Sequence, residues 1–133
     1  RRTPRISPLA LMDLEKLWNS AVTWHNSGDY HEAHELFEDL WLELDDRREK
    51  DIVQTLAQAD ALAVHIKTGN MQAAQRLMRQ LPELVHTFPS SYNRIDLREM
   101  KEWINDMVAN MSPSGDVESI EGAEPPKLTE SRN

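Results

Sequence analysis

The chain has no cysteine, which excludes disulfide frameworks, thiol catalysis and cysteine-based zinc sites. No apolar run approaches the roughly 18 residues of a membrane span, and no signal peptide is present. Positive charge is short: 15 Lys+Arg against 23 Asp+Glu give a formal net charge of −8. That balance argues against a general nucleic-acid or anionic-membrane role, since both surfaces recruit by positive charge. At 133 residues the chain is long enough for one domain with one core. Its hydrophobic content of 39% is modest, and the deficit lies in polar ends rather than in the middle. The sequence opens Arg1-Arg2-Thr3-Pro4-Arg5 with no initiator Met, which reads as a trimmed chain or a processed precursor and leaves an organellar address open.

Along the chain, residues 1–7 read as a basic flexible arm. Ser7-Pro8 suits the cap and first position of a helix, which then runs to about Asn26 with Leu14, Leu17, Trp18, Ala21 and Trp24 or His25 at helical spacing. Ser27-Gly28-Asp29 is a tight break, with Gly28 at the helix end and Asp29 capping a second helix to about Leu44. Asp45-Asp46 caps a long third helix to about Lys67. Its apolar face is Ile52, Leu56, Ala59, Ala63 and Ile66, and its alanine content predicts a central position. A fourth helix is expected from Met71 to about Gln80, ended by Pro82. Phe88-Pro89-Ser90-Ser91 reads as a loop. Asp96 caps a last helix carrying Leu97, Met100, Trp103, Ile104 and Met107. From Ser112 onward Gly, Pro, Ser and Glu dominate, and a disordered acidic tail is expected over 112–133.

Gly28-Asp29-x-x-x-Ala33-x-x-Leu36-Phe37 recurs as Gly69-Asn70-x-x-x-Ala74-x-x-Leu77-Met78. Each copy opens the second helix of a helical pair. The expected fold is therefore all-α: a compact bundle of about five helices over residues 8–111, built from two αα-hairpins and a closing helix. Two pairs are too few for a tetratricopeptide-like solenoid.

The most informative stretch is Tyr30 to Trp41. At about 100° per residue, Tyr30, Ala33, Phe37, Leu40, Trp41 and Leu44 share one face. His34 lies on it, and Glu38 sits beside it on the flank. On the third helix Gln54, Gln58, Ala61 and His65 form a polar stripe opposite the main apolar face. If that helix is central, the stripe is covered and each member needs a partner. The economical arrangement has Gln58 and His65 meeting His34 and Glu38. One reading is a buried hydrogen-bond network that fixes helix register. A second is a ligand or catalytic site, with His34 as acid/base and Glu38 holding its tautomer. A third is a divalent metal on His34, Glu38 and His65, which is not favoured. His31-Glu32-Ala33-His34 is not the zinc-protease string. Only Glu83-Leu84-Val85-His86 fits the di-iron E-x-x-H motif, and it straddles Pro82. His25 and His86, near helix ends, default to a dipole role. The tryptophans read as packing, and Asp60 is a lone acid on the alanine-rich helix.

Gly28-Asp29-Tyr30-x-x-Ala33-His34-Glu35-x-x-Glu38-x-Leu40-Trp41 resembles the signature of the DUF309 family, small all-helical proteins of bacteria, archaea and plastid-bearing eukaryotes. The likeness continues through Gln54-x-x-x-Gln58 to His65 and Gly69-Asn70, more weakly to Ile95-Asp96-Leu97, and covers roughly residues 14–108. It implies an all-helical fold and a polar site falling on His34, Glu35, Glu38, Gln54, Gln58 and His65, with no assigned reaction. Glu35 belongs to that pattern although helical geometry turns it toward solvent. Family members often carry Gly where this chain has Thr55, and again near Arg94. Two functions follow as expectations for a soluble protein of cytoplasm or plastid stroma. Either the cluster of His34, Glu35, Glu38, Gln58 and His65 binds a small polar ligand or ion. Or the chain is a non-catalytic interaction subunit of a larger assembly, with the N-terminal arm and acidic tail as docking segments for a protein partner.

Overall fold

A computed structural model describes residues 8–110 and 124–131. Among them the helices are α1 (Pro8–Asn26), α2 (Tyr30–Glu43), α3 (Arg47–Thr68), α4 (Met71–His86) and α5 (Arg98–Ala109). Three two-residue strands accompany them: β1 (Ser91–Tyr92), β2 (Ile95–Asp96) and β3 (Thr129–Glu130). The fold is all-α, as the periodicity predicts. Packing follows chain order: α1 lies on α2, α2 on α3, α3 on α4 and α4 on α5. The long third helix is central, flanked by α2 and α4. No helix among the described residues is long and apolar enough to cross a membrane.

The repeated Gly-Asp and Gly-Asn pairs build the same turn twice. Gly28 donates to the His25 carbonyl while Asp29 donates to Trp24 five residues back. Gly69 and Asn70 do the same to Ile66 and His65. Both glycines hold a positive φ, +90° and +78°, which closes a helix end without the steric cost a Cβ would bring. The next side chain then starts the following helix: the Asp29 carboxylate accepts from Glu32 N, and the Asn70 amide oxygen accepts from Ala73 N. Each αα-hairpin is thus encoded locally by two adjacent residues.

Three sequence expectations change. Helix α4 does not stop near Gln80; Pro82 lies inside it, exposed, and the helix continues to His86. Proline in a helix interior costs about 3 kcal/mol. Here Met78, Leu81 and Val85 flank it as one buried stripe, and burying three such side chains outweighs that cost. Second, the loop before α5 is a β-hairpin, with Ser91 opposite Asp96 and Tyr92 opposite Ile95. Its turn residues Asn93 and Arg94 both have positive φ, 49° and 69°, the geometry a two-residue hairpin loop requires. Arg94 occupies a position where glycine is cheapest, which accounts for the glycine expected there. Asp96 acts one place earlier than expected: α5 is capped at Leu97, and the Asp96 carboxylate accepts from Arg98 N at 2.9 Å.

Third, the tail is not wholly solvated. Residues 1–7, with the Ser7 cap, and 111–123 lie outside the described residues. Residues 124–131, however, lie against the bundle: β3 pairs antiparallel with β2, and Leu128 is buried in the core cluster. Two buried residues, Pro125 and Leu128, and a row of bonds to its main chain hold the segment, a signal too sparse for periodicity to show.

Candidate functional site

The seam between α2 and α3 is closed by small residues, Ala33 on one helix and Ala57 on the other, both fully buried. Close approach brings the His34 ring to the α3 backbone, and its Nδ1 lies 2.8 Å from the Ala57 carbonyl oxygen. A carbonyl only accepts, so Nδ1 carries the proton and a neutral His34 keeps its lone pair on Nε2. The orienting group for His34 is therefore an α3 carbonyl and not Glu38.

On α3, helical spacing sets Ala61 near the azimuth of Ala57, with Gln58 and His65 on one side and Asp60 on the other. His34 is felt electrostatically by both flanks: a charge there would lower both the His65 and the Asp60 pKa. His65 is held below its ordinary value of 6.5 by burial first, then by Arg76 and His34. Gln58 Oε1 is buried with no hydrogen-bond partner. Gln58 follows Ala57, the residue whose carbonyl His34 meets, and His65 is close enough to His34 to feel its charge. Glu38 and Glu35 are exposed. Only the stripe of Tyr30, Ala33, Phe37 and Leu40 is fully covered; a long side chain one position past it reaches water. Among the described residues no three of His, Asp or Glu form a group able to hold a metal ion.

The strongest buried interaction was assigned to neither site nor core by the sequence. His25 and Asp60 are 2% and 0% exposed, and His25 Nδ1 is 2.6 Å from Asp60 Oδ1. His25 Nε2 is 2.8 Å from the Pro126 carbonyl, so Nε2 must be the donor there and one proton is shared between Nδ1 and Oδ1. Burial opposes an imidazolium at His25, yet the bonds to Asp60 and Pro126 raise its pKa above 6.5. Burial likewise raises Asp60, against the pull of His25. Both shifts say that the pair keeps its proton. Asp60 Oδ2 remains buried and unpartnered. The available signal was an acid among alanines on a central helix, which must be paired if buried. Its partner, a histidine at a helix end on α1, had no local marker. Trp24, the other residue weighed for that face, is 42% exposed.

The pair has a pH signature. In the window from 6.5 up to the native value, the folded state binds a proton that the unfolded chain has lost. Stability then falls as pH rises, by at most about 1.4 kcal/mol per pH unit. His65, shifted the other way, contributes only below 6.5. Urea unfolding should therefore show a lower free energy at pH 8.5 than at pH 6.5, and a His25→Leu/Asp60→Leu chain should lose most of that slope.

An open volume of about 530 Å³ lies elsewhere, lined by Trp18, Leu44, Asp46, Glu49 and Tyr92 among others. Its polar groups are engaged internally. Asp46 accepts from Glu49 N, the Tyr92 hydroxyl donates to Glu49 at 2.8 Å, and Glu15 accepts from Asn93 and Arg94. Burial and the Glu49 bond push the Tyr92 phenol far up. The seam, with its unmet acceptors, is the better candidate.

Residues 18–77 match the family model DUF309, described as a domain of unknown function. Over that stretch, a little under half of its length, the chain is similar to DUF309. The matched stretch begins in α1, spans α2 and α3 and ends in α4, so it includes the seam and the His25–Asp60 pair. A curated relative, an uncharacterized protein of Aquifex aeolicus (strain VF5), is 27% identical over 97 residues, which is 72% of this chain and 28% of that protein. The chain thus matches little more than a quarter of the relative's length.

Proposed function

We propose that this DUF309-like domain binds a small polar ligand at the α2–α3 seam, and that the ligand presents hydrogen-bond donors, as an ammonium, amide or guanidinium group does. The observation that carries the reading is Gln58 Oε1, buried without a partner on the helix against which His34 is pinned. A buried acceptor left unmet costs about 1–3 kcal/mol. The unmet group there is an acceptor, the amide oxygen of Gln58, and with Nδ1 of His34 turned to the Ala57 carbonyl, Nε2 is the atom left to face a ligand. Burial lowers the pKa of His65 and so favours its neutral ring. Glu35 and Glu38, on the exposed flank, would draw a cationic donor toward the seam. Nε2 is also the atom through which His34 would take or give a proton.

The substitution Gln58→Met separates stability from binding. It removes the unmet oxygen at similar volume, so the chain should gain about 1 kcal/mol in urea unfolding. Binding should weaken at least tenfold. The probes are methylammonium and guanidinium at low millimolar concentration, followed by NMR shifts of the His34 ring and the Gln58 amide, with sodium chloride as control. His34→Gln should abolish the response with the helical spectrum intact. A Gln58→Met chain that responds like wild type, or wild-type resonances unmoved by either probe, would overturn the reading.

A further inference from the structure

The segment Glu124–Ser131 sits on the bundle in the manner of a bound peptide. Its main chain is read by side chains of α1. Asn26 clasps Leu128 at two points, donating to its carbonyl at 2.8 Å and accepting from its N–H at 2.7 Å. His25 donates to the carbonyl of Pro126, two residues earlier. Further on, β3 adds to the edge of β2, and Ser131 N donates to the Arg94 carbonyl at 2.8 Å. Two side chains are buried, Pro125 and Leu128, the latter only 2% exposed. Lys127, Thr129 and Glu130 are exposed. Strand addition for affinity and a pocket for one side chain are how extended peptides are recognised.

A structural tail does not need this apparatus. His25 is aimed by Asp60, a carboxylate fully buried in the middle of α3 with one oxygen unpartnered. Burying that charge is costly, and an apolar pair would serve stability as well or better. What the ion pair adds is a ring fixed in orientation, with a donor presented to a carbonyl. Pro125 and Pro126 bring no N–H, so at these two residues only carbonyl acceptors need partners, and His25 meets one. The groove therefore selects an extended chain with a buried proline three residues before a buried leucine, and tolerates variation at Lys127.

We propose that the groove formed by His25, Asn26 and the edge of β2 that β3 covers is a recognition site for an extended Pro-Pro-x-Leu segment of a partner protein, held in cis by residues 124–131. A tethered segment competes at an effective concentration on the order of millimolar. Release of the strap should therefore strengthen binding of a free peptide by at least tenfold. This site is separate from the seam contacts of His34 and Gln58, so either can fail alone.

The test uses the full chain and a fluorescently labelled peptide carrying residues 124–131. Leu128→Asp withdraws the anchor and frees the groove. That chain should bind the peptide at least tenfold more tightly than wild type, by anisotropy. Adding Asn26→Ala should remove at least tenfold of the gain, and a peptide with Leu128→Asp should not bind. A Leu128→Asp chain with native helical content that does not bind the peptide overturns the proposal. If that variant does not fold, wild-type chain with millimolar peptide decides. Perturbation of the Asn26 side-chain amide and Ile95 resonances supports the groove, and unchanged resonances refute it. Concentration-dependent dimers of wild type, abolished by Leu128→Asp, would make a second copy the occupant and overturn the partner reading.

Discussion

Asp60→Ala should destabilise the chain by about 3–5 kcal/mol, the range for breaking a buried pair from one side. The carboxylate is fully buried and its bond to His25 is short, at 2.6 Å. Without it, Nδ1 of a buried ring is left with no partner, and the imidazolium loses the charge that held it. Typical domains are stable by only about 5–15 kcal/mol, so the loss should be evident as an earlier urea midpoint at pH 6.5. The control is the double substitution His25→Leu/Asp60→Leu, which removes both charges and leaves apolar volume. It should recover most of the loss, since then nothing buried goes unmet. A double variant as unstable as the single would mean that the damage lies in packing around α3 and not in an orphaned charge. Asp60→Asn offers a milder step, because the amide can still donate to or accept from Nδ1.

Phe37→Ala should cost a similar amount, about 3–5 kcal/mol, by a different mechanism. The ring is 0% exposed and sits between helices, edge-on to Trp18 with centroids 6.0 Å apart. Its removal forfeits the transfer free energy of an aromatic ring, opens a cavity where α1 and α2 meet the core, and strips Trp18 of one of two ring contacts, the other being Tyr92. Phe37→Leu keeps most of the volume and should cost less than about 1.5 kcal/mol. Leu42→Ala is the internal comparison, since Leu42 is 62% exposed on the same helix and should change stability by no more than about 0.5 kcal/mol. Urea titrations of the three variants check the order. A Phe37→Ala loss no larger than that of Leu42→Ala would deny that this face of α2 forms the core.

Local rules carried far in this chain. Gly28-Asp29 and Gly69-Asn70 each specify a helix end and the next helix start within two residues, so the two hairpins were legible without any tertiary information. The 3.6-residue spacing of Tyr30, Ala33, Phe37 and Leu40, and of Ile52, Leu56, Ala59 and Ala63, likewise identifies the covered faces. Pro82 shows where a local rule loses. A proline predicts a break, but Leu81 and Val85 on either side are held by burial against the rest of the bundle, and that constraint is long-range. Glu38 shows the complementary limit. Spacing places it beside His34, yet spacing does not report how far a neighbouring helix extends over a flank.

What the sequence by itself determined was the all-helical architecture, the hairpin turns and the covered faces of α2 and α3, because each depends on residues a few positions apart. What only the tertiary structure decided was partnership across the chain: His34 on the Ala57 carbonyl, His25 on Asp60, and residues 124–131 on α1 and β2. Those choices join residues separated by tens of positions. They are fixed by which buried donor finds which buried acceptor once the helices have packed, and no local spacing encodes that.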